Sequence, residues 1–121
     1  GSMESTVAQA KISREQVRSE NKEMLQSIID STTVSEEEKQ DAIAQMLKMT
    51  ELSEQEMAIE TLMSSKGFSD AVVNLTEDSA DIVVNAAELT DANRAQIEDI
   101  VTRKTEIAPE NIVISPIHAS E

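Results

Sequence analysis

The chain has no cysteine and a single histidine, and these shortages exclude most familiar kinds of catalytic site. Without cysteine there is no disulfide, no thiol nucleophile and no thiolate metal ligand. His118 follows Pro116 near the end of the chain, where we expect a solvated tail side chain rather than a catalytic base. A zinc site needs about four clustered ligands, which one histidine without cysteine does not supply.

Glycine and aromatic residues are also scarce. Gly67 is the only glycine inside the chain, so no glycine-rich loop can hold a phosphate group. Phe68 is the only aromatic residue, which leaves no aromatic cleft for stacking sugars. No apolar run approaches the roughly 18 residues that a membrane span requires. The core must therefore be built from aliphatic side chains and methionine.

Acidic residues are abundant, and the formal net charge is −14. The excess is spread along the chain, with −6 in residues 1–66 and −8 in residues 67–121. Phosphate contacts need Lys and Arg, so this balance argues against unaided binding of nucleic acid or anionic lipid. It indicates either simple solubility or attraction to a basic partner.

Residues 4–30 lack glycine and proline and predict a helix with a thin apolar stripe. The stripe comprises Val7, Ala10, Arg14, Val17, Asn21, Met24 and Ile28. Because Arg14 and Asn21 interrupt it, the pattern indicates a weak coiled-coil seam or a helix half-docked on a neighbour. We expect docking in its C-terminal half, where Leu25 and Ile29 widen the stripe.

A second helix is predicted from Ser35 to Lys66. Ser35 and Glu38 have the spacing of a capping box. A similar Ser53–Glu56 pair would allow a break, but the continuing apolar stripe favours one helix. Gly67 supplies a stop, because glycine readily takes the left-handed conformation that ends helices.

Two alternating segments then predict an antiparallel hairpin. Residues 70–77 place Ala71, Val73 and Leu75 on one face, and residues 80–86 place Ile82 and Val84 on one face. The acidic residues between them lack the central glycine of a calcium loop and predict a polar turn.

A third helix, capped by Thr90, buries Ile97, Ile100, Val101 and Ile107 and carries outward Arg94/Glu98 and Asp99/Arg103 pairs at four-residue spacing. Pro109 blocks its continuation. Residues 112–114 form the last strand, which ends at Pro116 or lies at a sheet edge.

The predicted fold class is therefore α+β: a small three-stranded sheet packed by two helices, in the order helix–strand–strand–helix–strand, preceded by an N-terminal helical arm. Residues 1–3 are interpreted as a tag remnant, 4–34 as the arm, 35–118 as the α+β domain and 119–121 as a tail. Exposed sheet edges invite strand addition by a partner. Val72 and Val83 on the second sheet face are either partner contacts or, if the long helices cover that face, core residues.

The chain resembles the extracytoplasmic domain of the stage III sporulation protein AH family. The most specific likeness is the run Gly67-Phe68-Ser69-Asp70-Ala71-Val72-Val73-Asn74. Further likeness lies in residues 49–62, 81–85, 95–101 and 112–114, and in all it covers about residues 20–117. The resemblance implies a fold like the ring-building motif of type III secretion and flagellar ring proteins.

The resemblance also implies a role in sporulation. Such proteins are anchored in the mother-cell membrane by an N-terminal helix, which this chain would lack, and face the intermembrane space around the forespore. There they bind stage II sporulation protein Q, in a complex that resembles a channel between the two cells during engulfment. Like-charged copies repel, so a homo-oligomeric ring would need cations, a partner or membrane confinement.

On this interpretation the chain is not an enzyme and has no catalytic, cofactor-binding or metal-binding residues. The candidate partner contacts are the strand residues Val72, Asn74, Val83 and Asn85. The candidates for self-assembly are Arg94 and Arg103, because basic groups are rare in the second half of the chain. The alternatives are a nucleic-acid- or ligand-binding α+β module, or a regulatory subunit of an enzyme.

Overall fold

A computed structural model describes residues 3–86 and 88–117 of the chain. The helices are α1 (Met3–Asp30), α2 (Glu36–Ser65) and α3 (Asp91–Lys104), and the strands are β1 (Ala71–Leu75), β2 (Ala80–Asn85) and β3 (Ile112–Ile117). This order confirms the predicted α+β class. The expectations for His118 and for the tail at 119–121 lie outside the described residues, as do the first two residues of the predicted tag remnant.

The long helix α2 begins and ends where the sequence predicts. Ser35 has an extended backbone, and its hydroxyl accepts a hydrogen bond from the amide of Glu38 at 3.1 Å. At the other end Gly67 has a φ of 98°. The amide of Phe68 donates to the carbonyl of Met63 at 2.8 Å and that of Gly67 to Ser64 at 3.1 Å, which is a Schellman ending.

No break occurs at Ser53, and α2 is one helix of 30 residues. The Ser53 hydroxyl instead accepts a hydrogen bond from Arg18 of α1 at 2.8 Å. The second apparent capping box is therefore part of the contact between the two long helices.

The sheet has the strand order β1-β2-β3, so β1 and β3 are its edges. β1 and β2 are antiparallel, with Val73 opposite Ile82, whereas β2 and β3 are parallel, with Ile82 opposite Ile114. A parallel pair needs a crossover, and α3 provides it. β3 is longer than predicted and continues through Pro116, which is tolerated because β3 is an edge strand.

The core lies between one face of the sheet and helices α2 and α3. Alternate strand residues point into it, as the period-two pattern predicts. Its buried members include Ile59 and Met63 of α2, Val73, Ile82 and Ile114 of the sheet, and Ile97, Ile100 and Val101 of α3. Ile107, which was predicted to be buried with the last three, also belongs to this core.

Helix α1 packs against α2 and also contacts β1 and β2. Val7 near its start and Leu25 near its end are both buried, at 3% and 7% exposure. The expectation that mainly its C-terminal half would dock was therefore too narrow. Val17 and Met24, counted in the predicted stripe, are exposed, because the contacts in the middle of the helix are made by charged side chains.

Candidate functional site

The β1 edge of the sheet is closed by side chains of the two long helices. The amide of Val73 donates to a Glu60 carboxylate oxygen at 2.9 Å, and that of Leu75 donates to Glu56 at 2.7 Å. The carbonyl of Val73 accepts from the Arg14 guanidinium at 2.7 Å. Side chains thus occupy backbone groups that would otherwise pair with an added strand.

The same carboxylates belong to an ion cluster that joins α1 to α2. Arg14 donates to Glu60 at 2.7 Å, and Arg18 donates to both Glu56 oxygens at 2.8 and 2.7 Å. Glu56 is only 1% exposed, so its charge is compensated almost entirely by these arginines and by the Leu75 amide. Bidentate, charge-assisted hydrogen bonds of this type are stronger than hydrogen bonds between neutral groups.

Burial alone would lower the pKa of the Arg14 guanidinium. The hydrogen bond and charge of Glu60, with the charge of Glu56, outweigh that cost and raise the pKa above its ordinary value. The stabilisation that follows is fully present below the ordinary Arg pKa and is lost only as pH rises through the still higher value in the folded protein. The cluster therefore keeps its Arg14 charge at any pH near neutrality.

The sequence interpretation treated Arg14 as an interruption of the α1 stripe, and this was wrong. Arg14 lies in the contact face, with its side chain 9% exposed. A signal was present in the sequence: two arginines spaced by four on α1 and two glutamates spaced by four on α2. Helices packed side by side bring such pairs together.

The β3 edge is only partly covered. The amide of Ala86 donates to the carbonyl of Ile117 at 2.7 Å, so the backbone groups of Ile117 point toward β2. Because these groups alternate in direction along a strand, those of Ile112, Ile114 and Pro116 point away from β2. The amide of Ile112 donates back to Pro109, and the carbonyl of Ile114 accepts from Arg94 at 3.1 Å. Proline has no N–H, so among the outward amides of β3 within the described part of the chain, that of Ile114 is the one without a hydrogen bond.

The second face of the sheet is covered at one side and open at the other. Val72 on β1 is 0% exposed, and α1 contacts both β1 and β2. Asn74, Val83 and Asn85 are half-buried, and Val113 on β3 is 54% exposed. Ser115 is exposed and Ile117 is half-buried. We call the accessible part, formed by Asn74, Asp81, Val83, Asn85, Val113, Ser115 and Ile117, the open face.

Of the four predicted contact residues, three lie on the open face and one does not. Val72 is a buried residue, as the alternative interpretation of this face expected, and α1 packs against both β1 and β2. The Asn85 amide group donates to the carboxylate of Asp70 at 3.1 Å, which fixes its orientation beside Val83. Val113 was not among the predicted contact residues, since its strand was predicted without a partner or a direction.

The two arginines predicted for self-assembly differ in their surroundings. Arg103 is exposed and pairs with Asp99 at 2.9 Å, which confirms that predicted pair. Arg94 was expected to pair outward with Glu98 but instead donates to the carbonyl of Ile114, because α3 crosses close to β3. Arg94 is therefore a partly buried contact with the sheet.

Comparison with known proteins gives the same fold and identifies a family. One chain in the structure of the SpoIIQ-SpoIIIAH pore forming complex superposes with a TM-score of 0.77 at 24% identity, covering 91% of this chain and 96% of that one. Stage III sporulation protein AH of Bacillus subtilis (strain 168) is 30% identical over 90 residues. That alignment covers 74% of this chain but only 41% of the Bacillus protein.

Within the described residues, no helix is long and apolar enough to cross a membrane. The family model for SpoIIIAH-like proteins matches residues 1–114, which is nearly all of the described structure. The chain therefore belongs to the SpoIIIAH-like family.

Proposed function

We propose that this chain is a non-enzymatic interaction domain of a sporulation membrane protein, and that it binds stage II sporulation protein Q. Family membership supports the sporulation role, and the similar fold in the SpoIIQ-SpoIIIAH pore forming complex supports the choice of partner. In this proposal the bound domains contribute to a ring-like channel between mother cell and forespore during engulfment.

The open face is the observation that carries the proposal. It presents the apolar side chains of Val83, Val113 and Ile117 beside the amide groups of Asn74 and Asn85 and the exposed carboxylate of Asp81. Apolar centres with flanking polar groups are typical of protein–protein interfaces. Its position on a sheet supported from behind by α2 and α3 keeps its shape fixed, which lowers the entropy cost of binding.

The proposed location follows from the family rather than from the geometry. A membrane anchor that precedes this domain in the full-length protein would hold it on the mother-cell side, facing the intermembrane space. The relative in Bacillus subtilis is longer than the aligned segment, since that segment is 41% of its length. The absence of cysteine is compatible with either redox compartment.

Pull-down with the extracytoplasmic domain of stage II sporulation protein Q tests the proposal. Val83→Lys and Asn74→Lys place a charge on the open face and are expected to reduce capture strongly. Leu47→Lys is the matched control, because Leu47 is 67% exposed on α2, away from the sheet. Each variant must keep the thermal midpoint of the parent chain. Undiminished capture by both open-face variants would contradict the assignment.

A further inference from the structure

We propose that the outer edge of β3 docks an extended strand of the partner, and that the Arg94 guanidinium occupies the Ile114 carbonyl at this edge until the strand displaces it. This inference rests on the proposed function, because it states how the same partner is held. In strand addition the main-chain hydrogen bonds supply affinity and the alternate side chains supply specificity.

The β1 edge of the sheet is blocked at its centre, which leaves β3 as the edge that accepts a strand more readily. At β1 the amide and carbonyl of Val73 and the amide of Leu75 are bound by Glu60, Arg14 and Glu56. An added strand there would have to expel two carboxylates that are themselves held by arginines. Extension of the sheet is therefore easier at β3.

The β3 edge is chemically prepared for a short ladder centred on Ile114. Its amide and its carbonyl both point away from β2, so both are available to pair with a strand added on the outer side of β3. The amide has no partner among the described residues, whereas the carbonyl is bound by Arg94 at 3.1 Å. One side-chain contact thus separates the closed edge from an edge ready to pair.

Arg94 has another partner within reach when it leaves the edge. Glu98 lies four residues further along α3 and is half-buried, at the spacing at which helical side chains meet. In the closed edge Glu98 forms no ion pair within the described residues. Transfer of the guanidinium from the Ile114 carbonyl to the Glu98 carboxylate keeps the charge compensated while the edge opens.

The open face indicates the kind of strand that fits. A residue placed beside Val113 in an added strand points its side chain to the same face of the sheet. Val113 is 54% exposed, and an apolar side chain there would cover it. The occupant is therefore an extended partner segment with an apolar residue beside Val113, and its contact would be continuous with the open face.

Amide hydrogen exchange of the whole chain, free and saturated with the partner domain, tests the inference. In the complex the exchange rate of the Ile114 amide is expected to fall by at least roughly tenfold, because the amide gains a hydrogen bond. The Ser115 amide is an internal control, since alternation points it toward β2 in both states. A complex that leaves Ile114 exchange unchanged would overturn strand addition without touching the proposed function; no complex at all would overturn the proposed function.

Two arginine variants test whether Arg94 competes with the added strand for the Ile114 carbonyl. Arg94→Ala removes the competing donor, so the partner should bind roughly 2- to 10-fold more tightly, the range set by one net hydrogen bond. Arg103→Ala is the matched control on the same helix, because Arg103 is exposed and pairs only with Asp99 among the described residues. Unchanged or weaker binding by Arg94→Ala, relative to Arg103→Ala, would overturn the role of Arg94.

Discussion

At the scale of single residues, Glu56 has the most consequential contacts in the molecule. Its carboxylate is 1% exposed and accepts hydrogen bonds from Arg18 of α1 and from the amide of Leu75 on β1. One side chain therefore joins an outer helix, a central helix and a sheet edge. Removing one partner of a buried ion pair leaves the other charged and unsolvated, which is costly.

We expect Glu56→Ala to lower the free energy of unfolding by about 3–5 kcal/mol. Glu51→Ala is the control on the same helix, because Glu51 forms an exposed ion pair with Lys48 at 3.2 Å. Exposed pairs contribute about 0–1 kcal/mol, so this variant should change little. Urea denaturation of the two variants and the parent measures both values. Equal losses would contradict the central position of Glu56.

Gly67 gives a second prediction at this scale, with a different cause. Its φ of 98° lies in the left-handed region, yet a Cβ built there meets nothing within 4 Å. Gly67→Ala should therefore cost about 1–2 kcal/mol from backbone strain alone. Gly67→Asn should cost less, because Asn tolerates this conformation better. A loss well above this range in thermal unfolding would indicate a steric clash that the structure does not show.

At the scale of elements, α1 is part of the folded unit. The sequence predicted its bounds closely but treated it as an arm, because its apolar stripe is thin. Its docking depends on Arg14 and Arg18 meeting glutamates 38 to 46 residues away, and local periodicity carries no such information. Val7 and Leu25 add apolar contacts at either end.

Adjacent residues near the end of α1 test this docking. Leu25→Ala should destabilise the protein by about 2–3 kcal/mol, since Leu25 is 7% exposed and its loss leaves a cavity. Met24→Ala is the control, because Met24 is 63% exposed and should contribute less than about 0.5 kcal/mol. Chemical denaturation compares the two, and a similar small loss for both would show that α1 does not dock.

The strands show what a local pattern can and cannot predict. Alternation in β1 and β2 correctly identified Val73, Ile82 and their neighbours as one buried face, because strand side chains alternate strictly. The same alternation could not say whether the other face is covered. Val72 and Val83 have similar local patterns, yet the first is fully buried and the second is half-buried. That difference depends on how the chain packs in three dimensions, which a local pattern does not carry.

At the scale of the whole molecule, the closed β1 edge limits how copies can associate. A ring built by continuous strand pairing needs the β3 edge of one copy to meet the β1 edge of the next, and that edge is occupied. A ring of these domains would therefore use helices or loops, or be held by the partner. The net charge of −14 also opposes close approach of copies.

Self-assembly remains a proposal that Arg103 and Arg94 can test. In a membrane-tethered form, Arg103→Glu should reduce cross-linked oligomers, because it replaces an exposed cation with another acidic group. Arg94→Glu should also reduce cross-linked oligomers only if self-assembly requires the contact between Arg94 and the Ile114 carbonyl. Raising the salt concentration should favour assembly, since it screens repulsion between acidic surfaces. A cross-linking ladder that neither substitution alters would exclude both residues from the contact.

The central claim is that the open face of the sheet binds stage II sporulation protein Q, and methyl NMR on the unmodified chain tests it most directly. On addition of the partner's extracytoplasmic domain, the methyl signals of Val83 and Val113 should shift or broaden. Those of Val17, which is 55% exposed on α1, should not move. Perturbations confined to Val17 and the other exposed apolar residues of the long helices, with Val83 and Val113 unmoved, would contradict the claim.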